Sequence, residues 1–155
     1  MTRLTKWTIA RARKTPYTHL VGYMERYWLF NSYYAPNYRA WLPSIRVHHI
    51  LRSDLDRAHH NHPWAFVSIL LEGEYKEERH VYRHGYYVGT SLKRYGAGSI
   101  LFRRHTDAHK LELPEGTTTW TLFITFRKRH HWGFVKSPFR PSEITPHNEY
   151  LNGDD

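Results

Sequence analysis

His59-His60-Asn61-His62-Pro63-Trp64, followed by Ala65-Phe66-Val67-Ser68-Ile69-Leu70-Leu71 and Glu72-Gly73-Glu74-Tyr75, is the stretch that decides how this chain folds. In extended backbone, side chains at i and i+2 point the same way. His60 and His62 can therefore grip one ion from one side of a strand. A third imidazole from a neighbouring strand would complete a face of the coordination sphere and leave the other positions open. Imidazole suits zinc, copper, iron and nickel. A lone His-x-His is a weak signal among 13 histidines. It gains weight from Pro63-Trp64, the β-rich run behind it and Gly73.

A second stretch, Gly98-Ser99-Ile100-Leu101-Phe102-Arg103-Arg104-His105-Thr106-Asp107-Ala108-His109, supplies the third imidazole. Together the two stretches resemble the paired motifs of the cupins. The first motif runs Gly, five residues, His-x-His, three or four residues, Glu, six residues, Gly. The second runs Gly, five residues, Pro-x-Gly, two residues, His, three residues, Asn. With His60 and His62 on the first pair, the closing glycine falls on Gly73; from Gly98, the second histidine falls on His109. The spacing is kept while residue types change: Asp54 replaces the first glycine, Phe66 the glutamate, and Arg104, Thr106 and Leu113 the second motif's Pro, Gly and Asn. The likeness covers residues 45–127. A looser resemblance links Arg52-Ser53-Asp54-Leu55-Asp56-Arg57, the His-x-His-Pro-Trp core and Trp132-Gly133-Phe134 to uncharacterised cupin-like proteins, many from bacteriophages. The cupin resemblance implies an all-β double-stranded β-helix barrel with metal ligands His60, His62 and His109. Loss of the glutamate is similar to the three-histidine iron sites of thiol dioxygenases.

Length suits a single domain over residues 1–155 with a real core. The chain has no cysteine, which excludes disulfides, zinc ribbons and thiol nucleophiles. No segment has the apolar length to span a bilayer, and no apolar signal core follows the basic start, so a cytoplasmic protein is expected. The formal net charge is +9; residues 1–52 hold nine Lys or Arg against one acid, Glu25. Basic residues interleaved with aromatics can meet nucleic acid, or form a solvated face over an aromatic core, and the second reading is preferred. Weak nucleic-acid binding and a homodimer both stay open.

In chain order, residues 2–16 suit a short helix or an edge strand. Val21, Met24, Tyr27 and Trp28 recur at helical spacing and predict a helix over 20–30. Alternation predicts a strand over 44–52, with either His48 or His49 facing inward. Further strands are expected over 64–71, 74–82, 86–94, 99–103, 108–113, 117–127 and 132–135, that over 117–127 being rich in β-branched and aromatic residues. Prolines at 138, 141 and 146 predict an irregular arm over the surface. The expected architecture is an N-terminal helical and aromatic extension (1–43), a cupin barrel (44–135) and a C-terminal arm (136–155).

The chemistry follows from these positions. A divalent ion, with iron, zinc, nickel or manganese as candidates, would sit on His60, His62 and His109, with His105 as reserve ligand. Asp56 is expected as an extra ligand or as a carboxylate holding a ligating histidine. Phe66, Tyr75, His49 and Arg104 are the expected pocket residues; an arginine at 103 or 104 could clamp a carboxylate or phosphate. Three readings compete: a metal-dependent, oxygenase-like enzyme on a small anionic molecule; a cupin that only binds a small ligand or metal; and a basic nucleic-acid-associated protein.

Overall fold

The computed structural model describes residues 2–54, 58–140 and 143–146. Among these residues there is one helix, α1 (Arg3–Ala12), with the Thr2 hydroxyl accepting the Thr5 N–H at 3.1 Å as N-cap. Twelve strands follow: β1 (Tyr17–Leu20), β2 (Met24–Phe30), β3 (Ser44–Ile50), β4 (His59–His60), β5 (Trp64–Glu72), β6 (Glu74–Arg83), β7 (Tyr86–Gly96), β8 (Ile100–Arg103), β9 (His109–Glu112), β10 (Thr119–Lys128), β11 (Gly133–Val135) and β12 (Ile144–Pro146). They form two six-stranded antiparallel sheets, ordered β1-β2-β3-β10-β5-β8 and β12-β11-β4-β9-β6-β7. This is the all-β, cupin-like barrel expected.

The helix expected over 20–30 is not there. That segment is β1, a turn through Gly22 at φ +67°, and β2, which pairs with β3 from Met24↔Ile50 to Phe30↔Ile45. Met24 and Trp28 are its buried residues. Four apart, they share a face in a helix and in a strand alike. Arg26, the inward-facing position between them, interrupts the apolar alternation that would have decided for a strand. Residues 17–30 thus extend the barrel's sheet. The helix lies earlier, in the stretch left open between helix and edge strand, and packs Ile9 and Ala12 on Val47 and Trp120 of that sheet's outer face.

Between the sheets, Tyr23, Met24, Ile50, Leu70, Tyr75, Leu101, Leu111 and Leu113 form the main core. Strict alternation sends Phe66, Ser68 and Leu70 of β5 inward, and Arg46, His48 and Ile50 of β3. Gly73, at φ +80°, makes the β5–β6 turn; a Cβ there would meet the Thr118 carbonyl and Thr119 Oγ1, so both geometry and space select glycine. The C-terminal arm includes β12, whose backbone runs so close to Gly133 that a Cβ would strike it. Among the described residues no helix is long and apolar enough to cross a membrane.

Candidate metal centre

His60 and His109 are cross-strand partners on β4 and β9, and both face the barrel interior. Asn61 fixes the chain between the two members of His-x-His: its N–H donates to the Gly133 carbonyl at 3.0 Å and its Oδ1 accepts the Gly133 N–H at 3.1 Å. With Asn61 pinned to β11, His62 turns inward beside His60. One ligand atom from each of His60, His62 and His109 lies within 4.8 Å of the others.

The local hydrogen bonds decide which nitrogens are free. The Glu77 carboxylate accepts from His109 Nδ1 at 2.7 Å. That places the His109 proton on Nδ1 and turns the Nε2 lone pair to the cluster. His62 Nε2 lies 3.0 Å from it. Two nitrogens about 2.0–2.1 Å from one ion and 3.0 Å apart subtend roughly a right angle, so the pair fits one ion. Burial, with the neighbouring His109, His60 and Arg46, pushes His62 well below the usual imidazole range and keeps it neutral, the form a ligand needs. Asp54, fully buried, faces His60 Nδ1 at 3.7 Å and is itself held by the Leu111 N–H at 3.1 Å.

Glu77 also pairs with Arg103: Arg103 Nε donates to Oε1 at 3.0 Å and Nη2 to Oε2. Burial alone would push the carboxyl up, but the bonds from His109 and Arg103 and their charges outweigh it and hold Glu77 at about 2. Burial and the Glu77 charge push the Tyr75 phenol up, so it remains a protonated donor.

The cavity measures about 40 Å³ and is bounded by the three histidines together with His48, Phe66 and Tyr75. With about 30 Å³ of liquid volume per water, that is room for one or two waters. Phe66, 2 % exposed, sets its ring 4.6 Å from that of His62 and 4.5 Å from Phe123.

Several expected site residues stand elsewhere. His49 faces outward, stacked on Trp120 at 4.0 Å, with Nδ1 at Glu25 and Nε2 at the Thr118 hydroxyl; its neighbour His48 faces in. Arg104 is exposed, because β8 alternation turns Arg103 inward, and there Glu77 occupies the guanidinium. His105 packs on His130 at 5.1 Å, and the converging group does not include it. Asp56 lies outside the described residues; Asp54 is the aspartate set beside His60. Phe66 and Tyr75 line the cavity. Glu77 was missed. Its signal was parity with Tyr75: an inward Tyr75 two residues after Gly73 puts Glu77 on the same face.

No protein-family model matches the chain, and no curated protein sequence does. Solved structures do. Hydroxypropylphosphonic acid epoxidase from S. wedmorenis aligns at a TM-score of 0.54 and 18 % identity over 74 % of this chain and 56 % of its own. FeII HppE aligns at 0.53 and 17 % identity, over 74 % and 57 %. A mutant of Bacillus subtilis oxalate decarboxylase OxdC aligns at 0.57 and 12 % identity, over 81 % and 31 %. The chain spans little more than half the length of the first two and under a third of the third, and the likeness is one of fold.

Proposed function

We propose that residues 1–155 form one cupin domain that holds a single divalent metal on His60, His62 and His109 and acts on a small anionic molecule in the manner of a mononuclear iron oxygenase. The observation that carries this is the pair of facing Nε2 atoms 3.0 Å apart, one of them fixed by Glu77. A ligating histidine is normally oriented by a carboxylate at its other nitrogen, and Glu77 has that position at His109. Asp54 stands on the same side of His60. A bound iron would supply Lewis-acid and redox chemistry at the cavity. The chain's own residues do the rest. Phe66 and Phe123 keep water out of one side, and Tyr75 offers a phenolic proton. The iron named for HppE makes iron the first metal to test. The kinship with bacteriophage cupin-like proteins rests on the sequence signatures alone.

Elemental analysis of protein purified without an affinity tag tests this, with one equivalent of metal expected. The cavity of about 40 Å³ favours a second reading, a cupin that binds metal without turning over a substrate. Oxygen consumption with carboxylate and phosphonate candidates separates the two.

A further inference from the structure

One layer from the histidine cluster, the inner faces of β2 and β3 carry two arginines with no acid beside them. Arg46 is 2 % exposed. Its guanidinium carbon lies 4.9–5.5 Å from the ring centres of Phe123, Trp28, Trp64 and Tyr33. Its Nε donates to His48 Nε2 at 2.8 Å, while Nη1 is buried and meets no acceptor in the protein. Arg26, opposite His48 in the β2–β3 register, gives Nη1 to the Tyr33 hydroxyl at 3.3 Å, and its buried Nε has no partner. Trp28 Nε1 and the Ser44 hydroxyl, on the same two strands, are buried and unpartnered too. Among the described residues, no carboxylate forms an ion pair with either arginine.

A buried guanidinium without a counter-charge is costly. Aromatic faces offset part of that cost and leave the N–H donors unmet. Three of the four orphaned groups can only donate, and two of them belong to cations. Such a set is the complement of an oxyanion, which accepts several charge-assisted bonds at once. Arg103 and Arg104 cannot serve: the first is bound to Glu77 and the second is exposed.

We propose that Arg46 and Arg26 bind the oxyanion group, carboxylate or phosphate, of a small molecule. Trp28, which covers Arg46, also lines a groove beside the loop over residues 31–43. Asn31 gathers that loop through bonds to the Arg39, Leu42 and Pro43 carbonyls. The groove measures about 710 Å³, and Tyr34 and Arg39 line it too. Arg46 reaches the histidine cavity through His48, whose ring stacks on Phe123 at 4.5 Å. The oxyanion site stands on these residues alone; its role as the anchor for the substrate of the metal centre rests on the function proposed above.

The test is thermal melting of metal-free protein in inorganic phosphate against sodium chloride at matched ionic strength and pH, repeated with acetate. Wild type gains a saturable rise of at least about 2 °C from phosphate or acetate and none from chloride. Arg46→Met loses the response, Arg26→Gln weakens it about tenfold, and His62→Ala keeps it. Should Arg46→Met fail to fold, Arg46→Lys, which keeps the charge without the fork, weakens the response instead. Identical wild-type melts in all three salts overturn the proposal, as does a response retained in full by both arginine variants or lost in His62→Ala. Metal analysis of the same preparations reads separately: protein that binds no metal yet answers to phosphate refutes the metal centre and leaves the oxyanion site standing.

Discussion

Glu77→Gln is the sharpest perturbation of the centre. The change is nearly isosteric, so it opens no cavity; it removes one charge. Glu77 is 2 % exposed and Arg103 7 %, and Glu77 accepts from both Arg103 and His109. A glutamine has one acceptor oxygen to divide between two donors, and its amide nitrogen opposes the other. Breaking a buried pair by removing one partner costs about 3–5 kcal/mol. For a chain of this size that lowers the melting temperature by roughly 6–20 °C. Loss of the carboxylate at His109 Nδ1 should also weaken metal binding about 10–100-fold. Urea denaturation of the metal-free protein reads the first effect and a competitive metal titration the second. Arg103→Met combined with Glu77→Gln should recover part of the lost stability and part of the affinity, since the glutamine oxygen, no longer shared with Arg103, can accept from His109 Nδ1. If Glu77→Gln unfolds within about 0.5 kcal/mol of wild type, the pair does not hold the barrel. If stability falls while affinity is unchanged, Glu77 does not orient His109.

Other outcomes follow from the same geometry. His60→Ala, His62→Ala and His109→Ala should each abolish the single equivalent of bound metal, with His105→Ala leaving it intact; the reverse for His105 and His109 would move the third ligand. Phe66→Glu should lower the melting temperature of metal-free protein, as a carboxylate buried against Phe123 and His62 costs several kcal/mol, and saturating metal should restore it; no restoration would make Phe66 purely a core residue. Burial holds His48 and His62 well below their usual range, so both are neutral in the fold. The unfolded chain protonates them near 6.5, so each costs about 1.4 kcal/mol of stability per pH unit as pH falls below that value. Glu77 acts lower: its contribution is full above about 4.5 and is lost as pH drops towards 2. Denaturant midpoints between pH 7.5 and 5 should therefore fall more steeply than one proton allows. Nucleic-acid binding by the basic residues 1–52 should be weak and collapse between 50 and 200 mM salt; tight, sequence-dependent binding would promote the nucleic-acid reading.

The barrel was legible where strands carry their own pattern. β5, β6, β7 and β10 lie close to where alternation, turn glycines and β-branched residues put them. Motif spacing also brought His60, His62 and His109 to one place. What failed depended on partners distant in sequence. His48 and His49 differ only in parity, and the register Thr121↔His48, Trp120↔His49 decides between them by stacking His49 on Trp120 outside the barrel. Glu77 hid in a run with Lys76, Glu78 and Arg79 that reads as a solvated strand. Its burial depends on β9 delivering His109 and β8 delivering Arg103, neither of which is visible in β6 itself. Arg26 misled for the opposite reason, being a charge placed at an inward position.

Charge then narrows what the cavity can hold. In the cupin pattern a carboxylate belongs at position 66, where it would cancel one charge of a divalent ion; here Phe66 cancels none. The three imidazoles add none either. Glu77 is already matched by Arg103. Arg46, joined to the cavity through His48, adds a further positive charge without a carboxylate partner among the described residues. A divalent ion on the histidines would thus face a cavity walled by aromatic rings and hydroxyls, and Asp54, set behind His60, offsets only part of the positive charge of the ion and Arg46. The field in so small a space is strong, and anions are what relieve it. A neutral substrate would leave the ion and Arg46 repelling one another, whereas an oxyanion on Arg46 turns that repulsion into attraction towards the metal. Metal and phosphate should therefore bind with positive cooperativity in wild type, each raising the other's affinity by the same factor. In Arg46→Met that coupling should vanish, while metal affinity alone rises as the repulsion is removed. Independent binding in wild type would mean that the arginine layer and the histidine cluster do not share a ligand.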